Sequence, residues 1–186
     1  ELTPIANGVP GKGKTFAVGP LALGDLGDDR QAIRAEVERR MAGADAFASE
    51  IFHAVGGAWR NLALIHMRLT SYPLEIIHQY GISATDALET ARFIARQSKS
   101  SLERMGGASK KRADTLPYAA AVMEAVIERL GARQVEFSAY GLREGLLFEA
   151  MSNEMRARDP LIEGMAALDG RLSEAEAFGD ALEAWI

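Results

Sequence analysis

The sequence contains no cysteine and only three histidines among its 186 residues. The absence of cysteine excludes disulfide bonds, thiolate nucleophiles and zinc ribbons, because all of them need cysteine. No apolar run approaches the roughly 20 residues that a membrane-spanning helix needs. Positive charge is also scarce, since 21 Lys and Arg stand against 26 Asp and Glu and give a net charge of −5. This balance argues against a nucleic-acid polymer or a membrane surface as a partner.

The residues that are present are typical of a folded globular chain. Hydrophobic residues make up 48% of the sequence and charged residues 25%, which is ordinary usage for a globular protein. A chain of this length holds one domain, or one domain with a small appendage. The first residue is Glu1 and not methionine, and no signal-peptide pattern accounts for that start, so we expect a truncated chain.

Hydrophobic periodicity predicts an α/β fold with a mixed sheet, followed by helices. The predicted strands are short and lie at residues 1–5, 15–18, 51–55, 74–77 and 135–137. A helix is predicted to begin after Asp28 or Asp29, with Ile33, Val37 and Met41 as its apolar stripe. Further helices are predicted at residues 59–69, from Ser83 to about Gln97, at 116–130 and at 143–151. Two more helix starts, at Asp159-Pro160 and at Ser173, suggest a separate helical unit at the end of the chain.

The stretch from Gly8 to Thr15 fits the spacing G-x-x-x-x-G-K-[ST] of a phosphate-binding loop. In such a loop the backbone N–H groups and Lys14 would contact phosphates and Thr15 would hold magnesium. The motif requires a helix directly after it, whereas Gly19-Pro20 interrupts the chain a few residues later. The sequence therefore favours a flexible hairpin turn over a nucleotide-binding loop at this position.

Two other glycine turns each follow a predicted strand and open a helix. Gly56 and Gly57 would leave the first N–H groups of the helix free to contact an anion or a nucleoside, although any tight strand-to-helix turn has the same pattern. The second turn contains Gly141 and places Arg143 in the first helical turn, where a cation is unfavourable against the helix dipole. Arg143 therefore meets either an anion or a carboxylate such as Glu144, and a surface salt bridge is the alternative.

In order and spacing, the chain from Leu2 to about Met151 resembles the exopolyphosphatase / guanosine pentaphosphate phosphohydrolase (Ppx/GppA) phosphatases. The resemblance rests on AVGPLAL, AVGGAWRNLALIHM, YPLEIIHQY, KKRADTLPYAAAVMEAVIERL and, most specifically, SAYGLREGLLFEAM. It implies the actin-like, sugar-kinase-like ATPase fold, in which two RNase-H-like domains flank the active cleft and a helical domain often follows. In that plan residues 1–151 resemble the second domain, and residues 152–186 resemble the first helices of the helical domain.

The resemblance also implies roles for individual residues. Glu1 resembles the glutamate that ends the family's DxGGGSxE loop and positions or activates the attacking water. Gly56 and Gly57 match the glycine pair that contacts the nucleotide, whereas Gly141, Arg143 and Glu144 match the motif that lines the cleft. Positive charge for the substrate is expected from Arg60 or from Lys110-Lys111-Arg112, unless that cluster is a solvated helix start.

The implied reaction is hydrolysis of a terminal phosphoanhydride of inorganic polyphosphate or guanosine pentaphosphate. The family plan implies magnesium, with ligands mostly outside this chain, a cytoplasmic location and a homodimer. With half of the cleft missing, the chain alone is expected to be inactive. The alternative is a non-catalytic module that binds nucleotide or polyphosphate. No single residue of the sequence selects between polyphosphate and guanosine pentaphosphate.

Overall fold

A computed structural model of the chain describes residues 1–26, 29–105 and 110–172. The chain divides into two compact units, residues 1–141 and residues 142–186. In the first unit the strands are β1 (Ile5–Ala6), β2 (Val9–Pro10), β3 (Ile51–Val55), β4 (Tyr80–Ser83) and β5 (Gln134–Ser138). The helices of that unit are α1 (Pro20–Leu23), α2 (Arg30–Arg40), α3 (Gly57–Leu69), α4 (Ala84–Ala95), α5 (Lys99–Arg104) and α6 (Leu116–Leu130).

The central sheet is mixed and has the strand order β3-β5-β4. Strands β3 and β5 are parallel, with Val55 beside Ser138, and β4 is antiparallel to β5, with Tyr80 beside Phe137. The carboxyl ends of β3 and β5 and the beginning of β4 therefore lie at one edge of the sheet. The predicted α/β class with a mixed sheet is confirmed, and both glycine turns leave the sheet at this edge.

Two predicted strands are wrong. Residues 15–18 form no strand, because backbone pairing in this part of the chain ends at the bridge between Leu2 and Lys14. The expected strand at residues 74–77 is replaced by β4, which begins at Tyr80. Leu74 and Ile76 are exposed, whereas Tyr80 and Ile82 alternate with exposed neighbours and are buried, which is the pattern of a strand with one face on the core. The apolar run after Pro73 therefore misplaced the strand, because only Ile77 of this run packs against the core, whereas Leu74 and Ile76 face solvent.

The segment from Gly8 to Thr15 belongs to a hairpin and not to a phosphate loop, as the sequence favoured. Asn7 and Gly8 have φ values of 51° and 77°, which match the two left-handed positions of a type I′ turn between β1 and β2. The hairpin is extended by hydrogen bonds in both directions between the backbones of Leu2 and Lys14. No helix follows Thr15 directly, and the Lys14 ammonium lies 5.0 Å from the ring centre of Phe16.

Helix α6 is the centre of the first unit and packs against α2, α3 and α4. Its residues Leu116 and Met123 are fully buried. The carboxylate of Glu124, also on α6, accepts hydrogen bonds from Arg34 Nη1 of α2 at 3.1 Å and from Arg92 Nε of α4 at 2.6 Å. This buried carboxylate is thus paired on both sides, which joins three helices and offsets the cost of removing it from water.

Helix α2 fixes the segment that leads into α1. It begins at the N-cap Asp29, whose side chain accepts from two backbone N–H groups. Later in α2, Arg39 and Arg40 donate hydrogen bonds to the Glu36 carboxylate and lower its pKa to about 2. Arg40 Nη1 also donates to the carbonyls of Ala17 and Ala22 at 2.7 and 3.0 Å. The chain on either side of Gly19-Pro20 is therefore tied to α2.

The second unit contains α7 (Leu142–Ala150), α8 (Asn153–Arg156) and α9 (Pro160–Leu172). Helix α9 begins where the sequence predicted, and the side chain of Asp159 accepts from the N–H of Leu161 at 2.8 Å. The helix start predicted at Ser173 lies outside the described residues. Along the chain, the first compact unit ends at Gly141 and the second begins at Leu142, whereas the domain boundary was expected at Met151.

Candidate functional site

A cavity of about 420 Å³ lies at the edge of the sheet where β3 ends. Its polar part comes from Glu1, the Gly56-Gly57 turn and Arg112, whereas its apolar wall includes Trp59 and residues of α6. A cavity of this size suits a small ligand. The first compact unit contains all of these residues.

Gly56 and Gly57 shape the floor of this cavity. Gly56 is the N-cap of α3 and has a φ of 143°, a backbone conformation that side chains disfavour by about 1–3 kcal/mol. The first N–H groups of a helix have no partner within the helix, and Gly56 has no side chain that could accept from those of α3. These donors and the positive end of the helix dipole favour an anion at this position.

Arg112 adds a full positive charge to the same helix end. It closes the short 3₁₀ turn before α6, and its guanidinium lies against Gly57 so closely that a Cβ there would be 2.6 Å from Nη2. Among the described residues no carboxylate forms a salt bridge with this guanidinium. A cation beside the positive end of a helix is unfavourable unless an anion joins them, so the pair favours a phosphate-like ligand.

Glu1 lines the same cavity, and its side chain lies against Gly13 of the hairpin. Its Oε1 atom accepts from Thr3 Oγ1 at 3.3 Å, and the hydrogen bonds between Leu2 and Lys14 fix the backbone beside it. The structure therefore brings together Glu1, Gly56 and Gly57 among the predicted site residues. Arg112 joins them, whereas the sequence left it between a substrate contact and a solvated helix start.

Arg60 connects two turns of the first unit. Its Nη1 atom donates to the carbonyl of Ala139 at 2.7 Å, so it connects the first turn of α3 to the second glycine turn. It does not line the cavity. Gly141 ends the first unit, and Arg143 and Glu144 belong to α7 in the second.

Trp59 is part of the wall. Its indole N–H donates to the carbonyl of Ala119 at 3.2 Å, and its ring packs edge-to-face on Phe52 with the ring centres 5.2 Å apart. The hydrogen bond holds the beginning of α3 against α6, and the ring contact holds it against β3.

Magnesium would need carboxylate ligands, and few acidic side chains in the described part of the chain are placed to provide them. Within the described ranges no group of three or more acidic or histidine side chains is arranged to hold a metal ion. Glu1 is the one acidic residue among the residues that line the cavity. Magnesium is commonly held by one or two carboxylates together with phosphate oxygens and water, so Glu1 is the lining residue that could contribute a ligand to this ion.

Replacing Gly57 with alanine should lower the affinity for tripolyphosphate without destabilising the fold. The added methyl group would lie 2.6 Å from Nη2 of Arg112 and would displace this flexible side chain, whereas alanine is a better helix former than glycine. Titration calorimetry and thermal unfolding would measure the two effects. Gly164→Ala is the matched control, since open space surrounds Gly164 in α9. An unchanged affinity of Gly57→Ala would contradict the placement of Arg112.

Comparisons with known proteins show which family and which solved structures the chain is similar to. Residues 27–154 match the Ppx/GppA phosphatase family. Among solved structures, an exopolyphosphatase from Cytophaga hutchinsonii superimposes with a TM-score of 0.61 and 18% identity, over 73% of this chain and 48% of that one. A Ppx/GppA family member from Aquifex aeolicus gives a TM-score of 0.52 and 15% identity, over 63% of this chain and 38% of that one.

The chain therefore spans less than half the length of these two structures. No curated protein sequence matches it. In the part of the chain that the structure describes, no helix is long and apolar enough to cross a membrane. The family match covers more than half of the residues, and the neighbours share the fold. The chain belongs to the Ppx/GppA phosphatase family and has the actin-like ATPase fold of its structural neighbours.

Proposed function

We propose that this chain is the phosphate-binding lobe of a hydrolase that releases the terminal phosphate of inorganic polyphosphate or guanosine pentaphosphate. One observation carries the proposal: the guanidinium of Arg112, which has no carboxylate partner among the described residues, lies against Gly57 at the beginning of α3, and Arg112 lines the same cavity as Glu1. Membership of a phosphatase family supports the same type of chemistry. Residues 1–151 would form the second actin-like domain and residues 152–186 the start of a helical domain.

Cleavage of a phosphoanhydride depends mainly on positioning and on neutralising charge. The N–H groups at the beginning of α3 and the Arg112 guanidinium would bind phosphate oxygens and hold the chain of phosphates in place. The Glu1 carboxylate would orient the attacking water and accept its proton. Magnesium, when bound, would neutralise phosphate oxygens, with Glu1 as the one protein carboxylate available to it in this cavity.

We place the other wall of the cleft outside these 186 residues. The solved relatives are matched over less than half of their length, and two lobes around a cleft are the plan that the resemblance implies. On this proposal the chain alone binds phosphate compounds without turning them over. The extended protein would act in the cytoplasm.

Replacing Arg112 with alanine tests the phosphate site directly. A hydrogen bond to a charged group contributes about 1.5–3 kcal/mol, which corresponds to a loss of about 10- to 150-fold in affinity for tripolyphosphate. Titration calorimetry of the 186-residue chain at fixed ionic strength would measure it. Arg133→Ala is the control, because Arg133 is exposed and pairs with Glu50. Equal affinities of the Arg112→Ala and wild-type chains would refute the proposed site.

A non-catalytic binding module is the second candidate function. The single carboxylate among the lining residues favours it, since this cavity alone offers few groups for catalysis. The module binds the same phosphate compounds as the hydrolase lobe. Phosphate release by the extended protein separates the two, because the module binds without turnover.

A further inference from the structure

We infer that Tyr140 is a stacking surface for the guanine base of a guanosine polyphosphate and therefore favours the nucleotide over inorganic polyphosphate. The inference rests on the proposed function, since it adds a base contact next to the phosphate site. Tyr140 would be a specificity-determining residue with no part in the cleavage step. Its role follows from its place at the sheet edge, from the way its ring is held and from the strain beneath it.

Tyr140 lies beside the phosphate turn because of the strand register. Val55 pairs with Ser138 in the parallel strands β3 and β5, and neighbouring strands are about 4.8 Å apart. The chain thus leaves the sheet at Gly56 and at Ala139 side by side and in the same direction. Arg60, in the first turn of α3, donates to the Ala139 carbonyl at 2.7 Å and locks the two turns together. One nucleotide would therefore contact both turns.

The ring of Tyr140 is held in place before any ligand arrives. One side of it packs on the imidazole of His78, with ring centres 4.2 Å apart and planes inclined by 38°. Its backbone N–H donates to Ser138 Oγ at 3.1 Å, which fixes the turn. The residue nevertheless remains 54% exposed. A rigid, accessible aromatic ring loses little conformational entropy when a base stacks on it.

The support beneath Tyr140 is energetically costly. The Nδ1 atom of His78 is buried and has no hydrogen-bond partner among the described residues. Gln79, the next residue, has a φ of 60°, which is uncommon for a residue with a side chain. Such strain persists where the surrounding structure enforces it, and it is concentrated at binding sites. The fold thus maintains an unfavourable arrangement that places His78 under an exposed ring.

Stacking on Tyr140 would distinguish the two substrates because only one of them has an aromatic ring. Every base has a π-face, and removing an aromatic side chain that stacks on a base weakens binding by about 5- to 150-fold. Inorganic polyphosphate would gain nothing from Tyr140 and would depend on Arg112 and the N–H groups of α3. The same cavity would then bind both compounds with different affinities.

The experiment is a calorimetric titration of the 186-residue chain with GTP and with tripolyphosphate. Tyr140→Ala should weaken GTP binding by about 5- to 150-fold and change tripolyphosphate binding less than twofold. Tyr140→Phe should keep the wild-type GTP affinity. Tyr140→Leu, which covers His78 without a π-face, should lose GTP affinity as alanine does. Circular dichroism would verify that the variants are folded.

Other results would overturn the inference. It fails if wild type does not bind GTP, if Tyr140→Ala binds GTP as wild type does, or if Tyr140→Leu behaves like Tyr140→Phe. It also fails if Tyr140→Ala weakens both ligands equally, because Tyr140 would then support the turn and not the base. Failure of the proposed phosphate site looks different: tripolyphosphate would not bind to wild type, or its binding would not depend on Arg112.

Discussion

Replacing Glu1 with glutamine should lower the rate of phosphate release by about 100- to 10,000-fold in the protein extended by its native upstream sequence. A positioned general base contributes a factor of this size, and glutamine keeps the shape of the side chain but cannot accept the proton. The assay would follow magnesium-dependent phosphate release from polyphosphate and from guanosine pentaphosphate. Binding of tripolyphosphate should change much less, because Arg112 and the N–H groups of α3 remain in place.

Glu75→Gln is the matched control for this substitution. Glu75 is an exposed carboxylate paired with Arg68, and it does not line the cavity. Its replacement should leave the rate within a factor of about two, as expected for a surface residue. A Glu1→Gln variant with the wild-type rate would exclude Glu1 as the base, and an inactive extended protein that still binds polyphosphate would favour the non-catalytic module.

The parts of the site that local signals determine could be predicted. Gly56 and Gly57 stand between an apolar strand and an amphipathic helix, and the chain turns from β3 into α3 where this pattern predicts. Ser83 caps α4 as predicted, with its side chain accepting from the Asp86 N–H at 3.1 Å. In each case the residues that specify the element are neighbours in the sequence.

The parts that depend on tertiary packing could not be predicted. Arg112 reaches Gly57 because α6 packs along α3, and no pattern near residue 112 encodes that contact. Arg60 bonds to Ala139 because α3 also packs against β5, and its charge alone, on which the expected substrate contact rested, does not encode that bond. The strand at 74–77 was misplaced because hydrophobicity alone does not tell which of two nearby segments reaches β5.

Replacing Met123 with alanine should lower the free energy of unfolding of the first unit by about 2–5 kcal/mol. Met123 is fully buried on α6, the helix that packs against α2, α3 and α4. Truncation leaves a cavity that well-packed neighbours cannot fill, and the loss is a large part of the 5–15 kcal/mol that stabilises a typical domain. Urea unfolding would measure it as a lower midpoint with an unchanged slope.

Two methionine variants complete this test. Met123→Leu conserves most of the volume and should cost less than about 1.5 kcal/mol. Met155→Ala, at an exposed position in α8, should change stability by no more than about 0.5 kcal/mol. Equal losses for Met123→Ala and Met155→Ala would contradict the central position of α6. Helix α6 follows the turn that carries Arg112, and its Ala119 carbonyl accepts from Trp59. Met123→Ala should therefore also weaken tripolyphosphate binding. Arg112→Ala, in contrast, should weaken binding with little loss of stability.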